Sequence, residues 1–458
     1  MNEAVTIEAW ISVFDNDALV PEFWANEALM VLESNMVASR LVDRQYEPTI
    51  AEYGDTVNAH RPGSFVAKRK TDDDNVTTQA ANSTKVPVVL DQWLHVSFII
   101  KDGELSKGFV NLLDYHLRPA LIAHAEGLDQ VVLSQGYRFL GNSVGKLEVD
   151  PGKGTVIAAR EKMTNNKCPL SNRIMFISPD TEGSLLDIGE FTKANEAGDD
   201  GEAIREANLG RKLGFNFFTG QNTMSVAPGS TTVTGAIDNG AGYALGSTVL
   251  TVDGLAAAIA NGSWCTIGGD MTPQQITATV GAGTPTQLTV TPGLATPVAD
   301  DAVITVYTAG AIDEAANYAA GWVKPITVDG FTVAPKVGQL VSFGTDSDRY
   351  GSVFESSTTE INVDRALKLQ ALNDKVVGLG PAGNYNFAMH PNAVSLVSRP
   401  LAQPVEGAGA RSAVVEYGGV ALRVVITYDG EAQGHRVTVD HLAGIEVMDQ
   451  NLGCVMLG

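Results

Sequence analysis

Little in this chain is basic, sulfur-bearing or continuously apolar, and each shortage closes a class of function. Lys and Arg number 31 against 53 Asp and Glu, a net charge of −22 over 458 residues. A field of that sign repels phosphate backbones instead of collecting them, so tight nucleic-acid binding is not expected. The three cysteines, Cys168, Cys265 and Cys454, lie far apart with no CxxC pair. Neither a zinc site nor a disulfide framework is indicated, and buried reduced thiols are the default. No run reaches the roughly eighteen apolar residues of a membrane-spanning helix. The opening "MNEAVTIEAW" places acids where a secretory signal carries its basic region, which predicts a chain made in the cytoplasm and not directed to a membrane.

Motifs of catalysis are missing as well. No GxSxG, HExxH, Walker or Rossmann signature stands in the right context, and the seven histidines are scattered. "NSVGKL" and "DPGKGT" lack both the glycine that precedes a phosphate-loop Gly-Lys and the Ser/Thr that follows it. Carboxylates are plentiful, but nothing singles out a pair for acid/base work. The chain therefore reads as a non-enzyme with no cofactor and no metal.

What is present is an ordered, turn-rich composition. Apolar residues make up 44%, charged residues 18%, and Gly (47) and Pro (19) punctuate short segments, as in a globular chain of several domains. In "LVPEFWANEALMVLESNMVASRLVDRQY" Pro21 suits a first helical position and Glu22 suits the positive end of the helix dipole. Ala25, Leu29, Leu32 and Met36 then follow at helical spacing, giving an amphipathic helix of about 20 residues. That stripe fits a core position or an arm laid on a neighbouring subunit. From Tyr53 to Lys101 two β-type segments, "GDTVNAHRPGSFVAKRK" and "KVPVVLDQWLHVSFII", flank the polar "TDDDNVTTQAANST", predicting a protruding hairpin that needs a surface to lie on. Val76 and Thr77 break the ligand pattern that would make "TDDDN" a calcium loop.

"HLRPALIAHAEGLDQVVLSQ" is a long helix with Pro119 set inside it. Proline removes a helical hydrogen bond and clashes with the preceding turn, so one helix is expected to end near Leu117 and the next to begin at Pro119. His116 and His124 sit two turns apart, too far for one metal ion, and read as packing or interface residues. Residues 146–222 alternate helix ("GKGTVIAAREKMTNN"), strand ("NRIMFISP") and helix ("DTEGSLLDIGEFTK"). Residues 224–354 change to short Val/Thr strands such as "GSTVLTVDG" and "AVITVYTAG", a compact all-β module. Helix/strand alternation is expected to return in "INVDRALKLQALNDKVVGLG" and "NYNFAMHPNAVSLVSRPL", which makes the module an insertion into a host domain. The carboxy-terminal "VALRVVITYDGEAQGHRVTVDHLAGIEVMDQNLGCVMLG" reads as strand, turn, long strand, strand, completing a sheet begun much earlier.

Taken in order, "VPEFWANEALMVLESNMVASRLV", "HLRPALIAHAEGLD", "LGRKLGFNFFTGQNTM" and "YNFAMHPNAVSLVSRPL", the last followed by "RVTVDHLAGIEVMDQNLGCVML", resemble the major capsid (coat) protein family of tailed double-stranded DNA bacteriophages. The resemblance is to the short-tailed (podovirus) subgroup whose coat protein carries an inserted β-barrel domain, and it spans nearly the whole chain. It implies an α+β Hong Kong 97-type capsid fold: N-terminal arm 1–50, extended hairpin loop 51–101, peripheral domain with spine helix 102–145, first part of the axial domain 146–223, inserted all-β domain 224–354, second part of the axial domain 355–428, and C-terminal peripheral strands 429–458. It implies a subunit that self-assembles, as hexamers and pentamers, into the icosahedral procapsid and mature head around the genome, without sequence-specific DNA contact. Implied partners are a scaffolding protein, separate because the chain begins almost at the arm, a portal protein and a decoration protein. The implied location is the virion, with assembly in the host cytoplasm.

Candidate subunit-interface residues are Trp24, Leu29 and Leu32 on the arm, with Arg61, Lys68, Arg69, Lys70, Asp72, Asp73 and Asp74 on the hairpin. Lys68, Lys70 and Asn82 resemble the crosslinking positions of other family members, but crosslinking is not the rule in this subgroup. The rival with the same fold is the shell of a prokaryotic nanocompartment, whose members usually lack a large β insertion. A rival of another class is a β-rich surface or adhesion protein, against which the missing export signal and helix-rich first half weigh.

Overall fold

The computed structural model describes residues 37–44, 56–61, 65–70, 75–76, 78–79, 84–105, 116–193, 205–222, 224–226 and 232–458, apart from 282, 308–309, 332, 345–347, 400, 405–409 and 418–419. The fold is α+β with strands dominating. Two sheets share one long helix. The first runs, in spatial order, through Ser143–Gly145, Gly453–Leu457, Gly383–Met389, Arg173–Ile177, Phe215–Thr219 and Arg211–Lys212, with Met224–Val226 also paired to Gly383–Met389. Its inner strands are apolar without alternation because both faces are covered. Ile174, Phe176, Phe387 and Val455 point into the main core. Met175, Ile177, Ala388 and Met456 point the other way, onto Val156, Ala159 and Met163 of the helix Lys153–Asn165 and onto Leu185.

The second sheet is built on Gly434–Val447, which pairs with Gln92–Lys101 along one edge and with Val420–Asp429 and Val394–Arg399 along the other, while Ala410–Tyr417 lies outside Val420–Asp429. Across it lies the long helix Arg118–Ser134, which carries Pro119 in its first turn as expected. Leu121, Ala125, Leu128, Val131 and Val132 are fully buried among Ile100, Val424, Val437 and Val439. The helix tightens into a 3-10 stretch, Gln135–Asn142, where Gly136 passes so near Phe387 that an added Cβ would lie 2.3 Å from the ring. The segment expected to form a helix ending near Leu117 falls mostly on residues outside those described.

Between Val226 and Gly383 the chain leaves the first sheet and returns beside its point of departure, antiparallel, with Val226 opposite Gly383. What is described between them is all β. Six strands, Thr232–Ile237, Val249–Asp253, Trp264–Ile267, Gln274–Val280, Gln287–Thr291 and Val303–Tyr307, close into a barrel. Six more, Gly310–Ile312, Ile326–Asp329, Leu340–Phe343, Tyr350–Gly351, Glu360–Ile361 and Val376–Leu379, form a curled sheet around Ile312, Ile326, Val341 and Val377.

The boundary expected at 354 therefore cuts this second unit, and the helix expected in "INVDRALKLQALNDKVVGLG" is absent. The apolar spacing of Leu367, Ala371 and Leu372 imitates a helix, but tertiary bonding captures the backbone: the N–H groups of Leu367 and Ala371 donate across the unit to Trp322 O and Tyr318 O at 3.0 and 2.9 Å. The C-terminal strands also divide. Gly434–Val447 serves the second sheet and Gly453–Leu457 the first.

Candidate assembly surface

Strands Thr56–Arg61 and Thr84–Val89 pair antiparallel over six residues as a ribbon separate from the larger sheets. A two-stranded ribbon is marginal in water, so it needs an anchor. Val57, Ala59, Val88 and Leu90 supply it by burying against Val397 and Leu442 of the second sheet. Beyond that base every described residue from 65 to 79 is exposed. The Gln79 side chain bridges the ribbon, its Oε1 accepting from Val66 N–H at 3.0 Å and its Nε2 donating to Val66 O at 2.6 Å.

Lys68, Arg69 and Lys70 stand exposed in succession there, three cations on a chain of net charge −22. Phe65 (63%), Val66 (68%) and Val76 (75%) are exposed beside them. Exposed large apolar side chains grouped with a run of cations mark a candidate contact surface. Arg61 closes the first strand, opposite Thr84. Trp24, Leu29, Leu32, Asp72, Asp73 and Asp74 lie outside the described residues.

The short segment Val37–Arg44 is fixed from within. Asp129, on the long helix and buried, accepts from the N–H groups of Val37 (2.7 Å), Ala38 (3.3 Å) and Ser39 (3.1 Å) and from the Ser39 hydroxyl (2.8 Å). One carboxylate thereby caps the short turn Ala38–Arg40, as a side chain caps a helix N-terminus. Burial raises its pKa from the ordinary aspartate value, and the four donors pull against that rise. Asp43 continues the attachment, its N–H donating to Val394 O at 3.0 Å while its carbonyl accepts from Leu396 N–H at 2.9 Å.

No family model matches the chain, and no curated protein matches it. Among solved structures it is similar to one titled "Mycobacterium phage Che8", at 13% identity and a TM-score of 0.44, covering 92% of this chain and 91% of that one. It is also similar to "Capsid of Ralstonia phage GP4", at 8% identity and a TM-score of 0.41 over 92% and 90% of the two chains. A third likeness, to "Capsid structure of the Cyanophage P-SCSP1u", has 10% identity and a TM-score of 0.40 over 89% and 84%.

A second polar node fastens the β-rich region to the helix end. Asp364, buried, accepts from the Ser134 hydroxyl (2.8 Å), the Gln135 amide (2.8 Å), Gly351 N–H (3.1 Å) and Arg365 Nη1 (2.9 Å). Arg365 also faces Asp348 at 3.6 Å and stacks 4.3 Å over the Tyr350 ring. Burial alone would lower its pKa; Asp364 and Asp348, with smaller contributions from Tyr350 and Glu446, offset that and hold it above the ordinary arginine value. Ala366 N–H donates to Asp91 Oδ2 at 2.9 Å, tying the same node to the hairpin's return strand.

His124 and His441 meet edge-on at 5.8 Å beneath a cleft of about 640 Å³, and both ring nitrogens of His124 lack a hydrogen-bond partner among the described residues. Burial, with His441 and His95 nearby, lowers the His124 pKa to about 3. Among the described residues no group of three or more His, Cys, Asp or Glu side chains is placed to hold a metal ion. The sequence offered no signal for Asp129, Asp364 or Arg365, since each is an ordinary charged residue whose partners lie far away along the chain.

Proposed function

We propose that the chain is the major capsid protein of a tailed double-stranded DNA bacteriophage, with a Hong Kong 97-type fold and an inserted β domain. The observation that supports it best is the pairing of the fixed segment Val37–Ser39, next to the expected arm, with an anchored hairpin whose described residues beyond its base are exposed. Asp129 holds Val37–Ser39 and the cluster around Val397 holds the hairpin base, and the exposed Phe65, Val66, Lys68, Arg69, Lys70 and Val76 are left for another copy. In this reading Arg118–Ser134 is the spine helix, and the second sheet with its long strand is the peripheral domain. The first sheet is the axial domain, and residues 227–382 are the insertion.

The chemistry suits a shell. An acidic wall does not hold packed DNA tightly, and hundreds of nearly equivalent contacts favour many small interfaces over one strong one. The basic stretch 68–70 on an acidic chain gives the hairpin an oppositely charged target on any neighbouring copy. Scaffolding, portal and decoration proteins are the partners this reading brings, with the virion as the final location. Negative-stain electron microscopy of the protein expressed alone and with its genomic neighbours tests it. Closed or misclosed shells support the reading; a monomer or small oligomer under every condition overturns it.

A further inference from the structure

The β-rich region contains one unit twice. Gly235-Ala236-Ile237-Asp238 recurs as Gly310-Ala311-Ile312-Asp313, Tyr243 as Tyr318 and Gly246 as Gly321. After one added residue, Thr251-Val252-Asp253-Gly254 recurs as Thr327-Val328-Asp329-Gly330, and Gly262 and Gly268 as Gly338 and Gly344. The matched residues do the same things. Tyr243 accepts from Thr251 N–H at 2.8 Å and meets its hydroxyl at 3.1 Å; Tyr318 does so with Thr327 at 2.8 and 3.0 Å. Tyr243 exchanges both backbone bonds with Val298, and Tyr318 with Ala371. The N–H of Gly262 donates to Ile276 O, and that of Gly338 to Ser352 O, each at 2.7 Å. A Cβ on Gly235 would lie 2.6 Å from Asp253 O, and one on Gly310 2.4 Å from Asp329 O, so glycine is required at both. Spatial strand order is also the same in the two units. Where the first closes fully, the second closes through the single bridge Ser352 to Val363.

We infer that residues 232–307 and 310–379 are tandem copies of one six-stranded barrel, and that the copies have divided their work: the second is the adapter fastened to the host sheets, the first a module mounted on it. Each copy docks through the same face. The Gly338 carbonyl accepts from the Tyr137 hydroxyl of the host, whereas the equivalent Gly262 carbonyl accepts from Ser342 of the second copy at 3.2 Å. Trp264 donates to Ser342 at 2.9 Å, Gln275 donates to Gly344 O at 3.2 Å, and the Arg349 guanidinium lies 5.8 Å over the Trp264 ring. The host reaches the first copy directly at its Gly269–Met271 turn, where Leu147 N–H donates to Met271 O at 3.1 Å. Charge divides with the labour. Residues 232–307 contain no Lys, Arg or His, while the second copy has Arg349 and Arg365 in its contacts. The inference stands apart from the capsid reading, since it rests on the repeat and on contacts within this chain.

Two deletions in the full chain test it, read by hydrogen exchange. Thr232 and Tyr307 are cross-strand partners, and so are Gly310 and Val377, so either copy can be removed with its ends side by side. Removing 232–307 is expected to leave protection of 118–142 and 310–379 in place. Removing 310–379 is expected to lose protection around Ser134–Gln135. Loss over 310–379 in the first variant, or unchanged protection at the helix end in the second, overturns the division of labour. Tyr243→Phe and Tyr318→Phe test equivalence without deletion: exchange at Thr251 and Thr327 should each rise about fivefold, the worth of one net hydrogen bond. A response at one site only overturns the duplication.

Discussion

Asp364→Ala removes the acceptor on which four donors converge. Ser134, Gln135, Gly351 and Arg365 all lose this acceptor at a fully buried site, although Ser134 and Gln135 retain a second one, Val131 O. The remaining neighbours of Arg365 are Asp348 at 3.6 Å and the Arg349 carbonyl at 2.8 Å, and its side chain is only 8% exposed, so a charge is left buried and half-paired. Breaking one side of such a pair costs about 3–5 kcal/mol, a large part of the roughly 5–15 kcal/mol that holds a native protein together. Urea unfolding is expected to show that loss, with the second barrel releasing first. Asp364→Ala combined with Arg365→Leu removes the orphaned charge together with its partner and is expected to recover about half of it. A single variant within about 1 kcal/mol of the parent would refute the claim that this node fastens the barrels.

Other consequences can be measured separately. His124 is neutral when folded, with a pKa of about 3 against 6.5 unfolded. The unfolded chain then binds the extra proton, so stability is lost as pH falls below about 6.5, by about 2 kcal/mol at pH 5. His124→Leu should flatten that acid limb in pH-dependent thermal melts, and an unchanged limb would remove His124 as its source. Gly136→Ala drives a Cβ into the Phe387 ring and should cost about 1–3 kcal/mol in denaturant titration. Asp129→Ala leaves three backbone N–H groups and Ser39 without an acceptor; faster exchange at Val37–Ser39 is expected, with protection at Leu128–Val132 retained. Under the proposed capsid reading, assembly of so acidic a chain should respond to ionic strength, because the Debye length is about 8 Å at physiological salt. Light-scattering kinetics identical at low and moderate salt would count against that.

The elements most legible in the sequence were those whose signals are local. Pro119 marked the start of the long helix, "NRIMFISP" marked a strand, and the base of the hairpin stood out around a polar stretch, although Gln92–Lys101, expected in the same hairpin, belongs to the second sheet. Residues 355–379 were misread because Leu367 and Ala371 carry helical spacing while their backbone bonds lie across the unit with Trp322 and Tyr318. The repeat was visible in principle as Gly-Ala-Ile-Asp and Thr-Val-Asp-Gly occurring twice. It was obscured because short Val/Thr strands resemble one another anyway and one added residue shifts the phase. Asp129 and Asp364 could not have been found, since their partners stand roughly 90 and 230 positions away along the chain.

The place of Gly453–Leu457 within the first sheet sets the order in which the molecule can be completed. It pairs with Gly383–Met389 on one side and Ser143–Gly145 on the other. Gly453–Leu457 is made long after Ser143–Gly145, so that strand waits for its partner while the intervening chain is synthesised; Arg173–Ile177 meets Phe215–Thr219 early. The barrels, by contrast, contain all their own strand partners and can close as soon as each emerges. The pairing of Gly453–Leu457 with Ser143–Gly145 thus spans both barrels in sequence, while each barrel is closed by strands made close together.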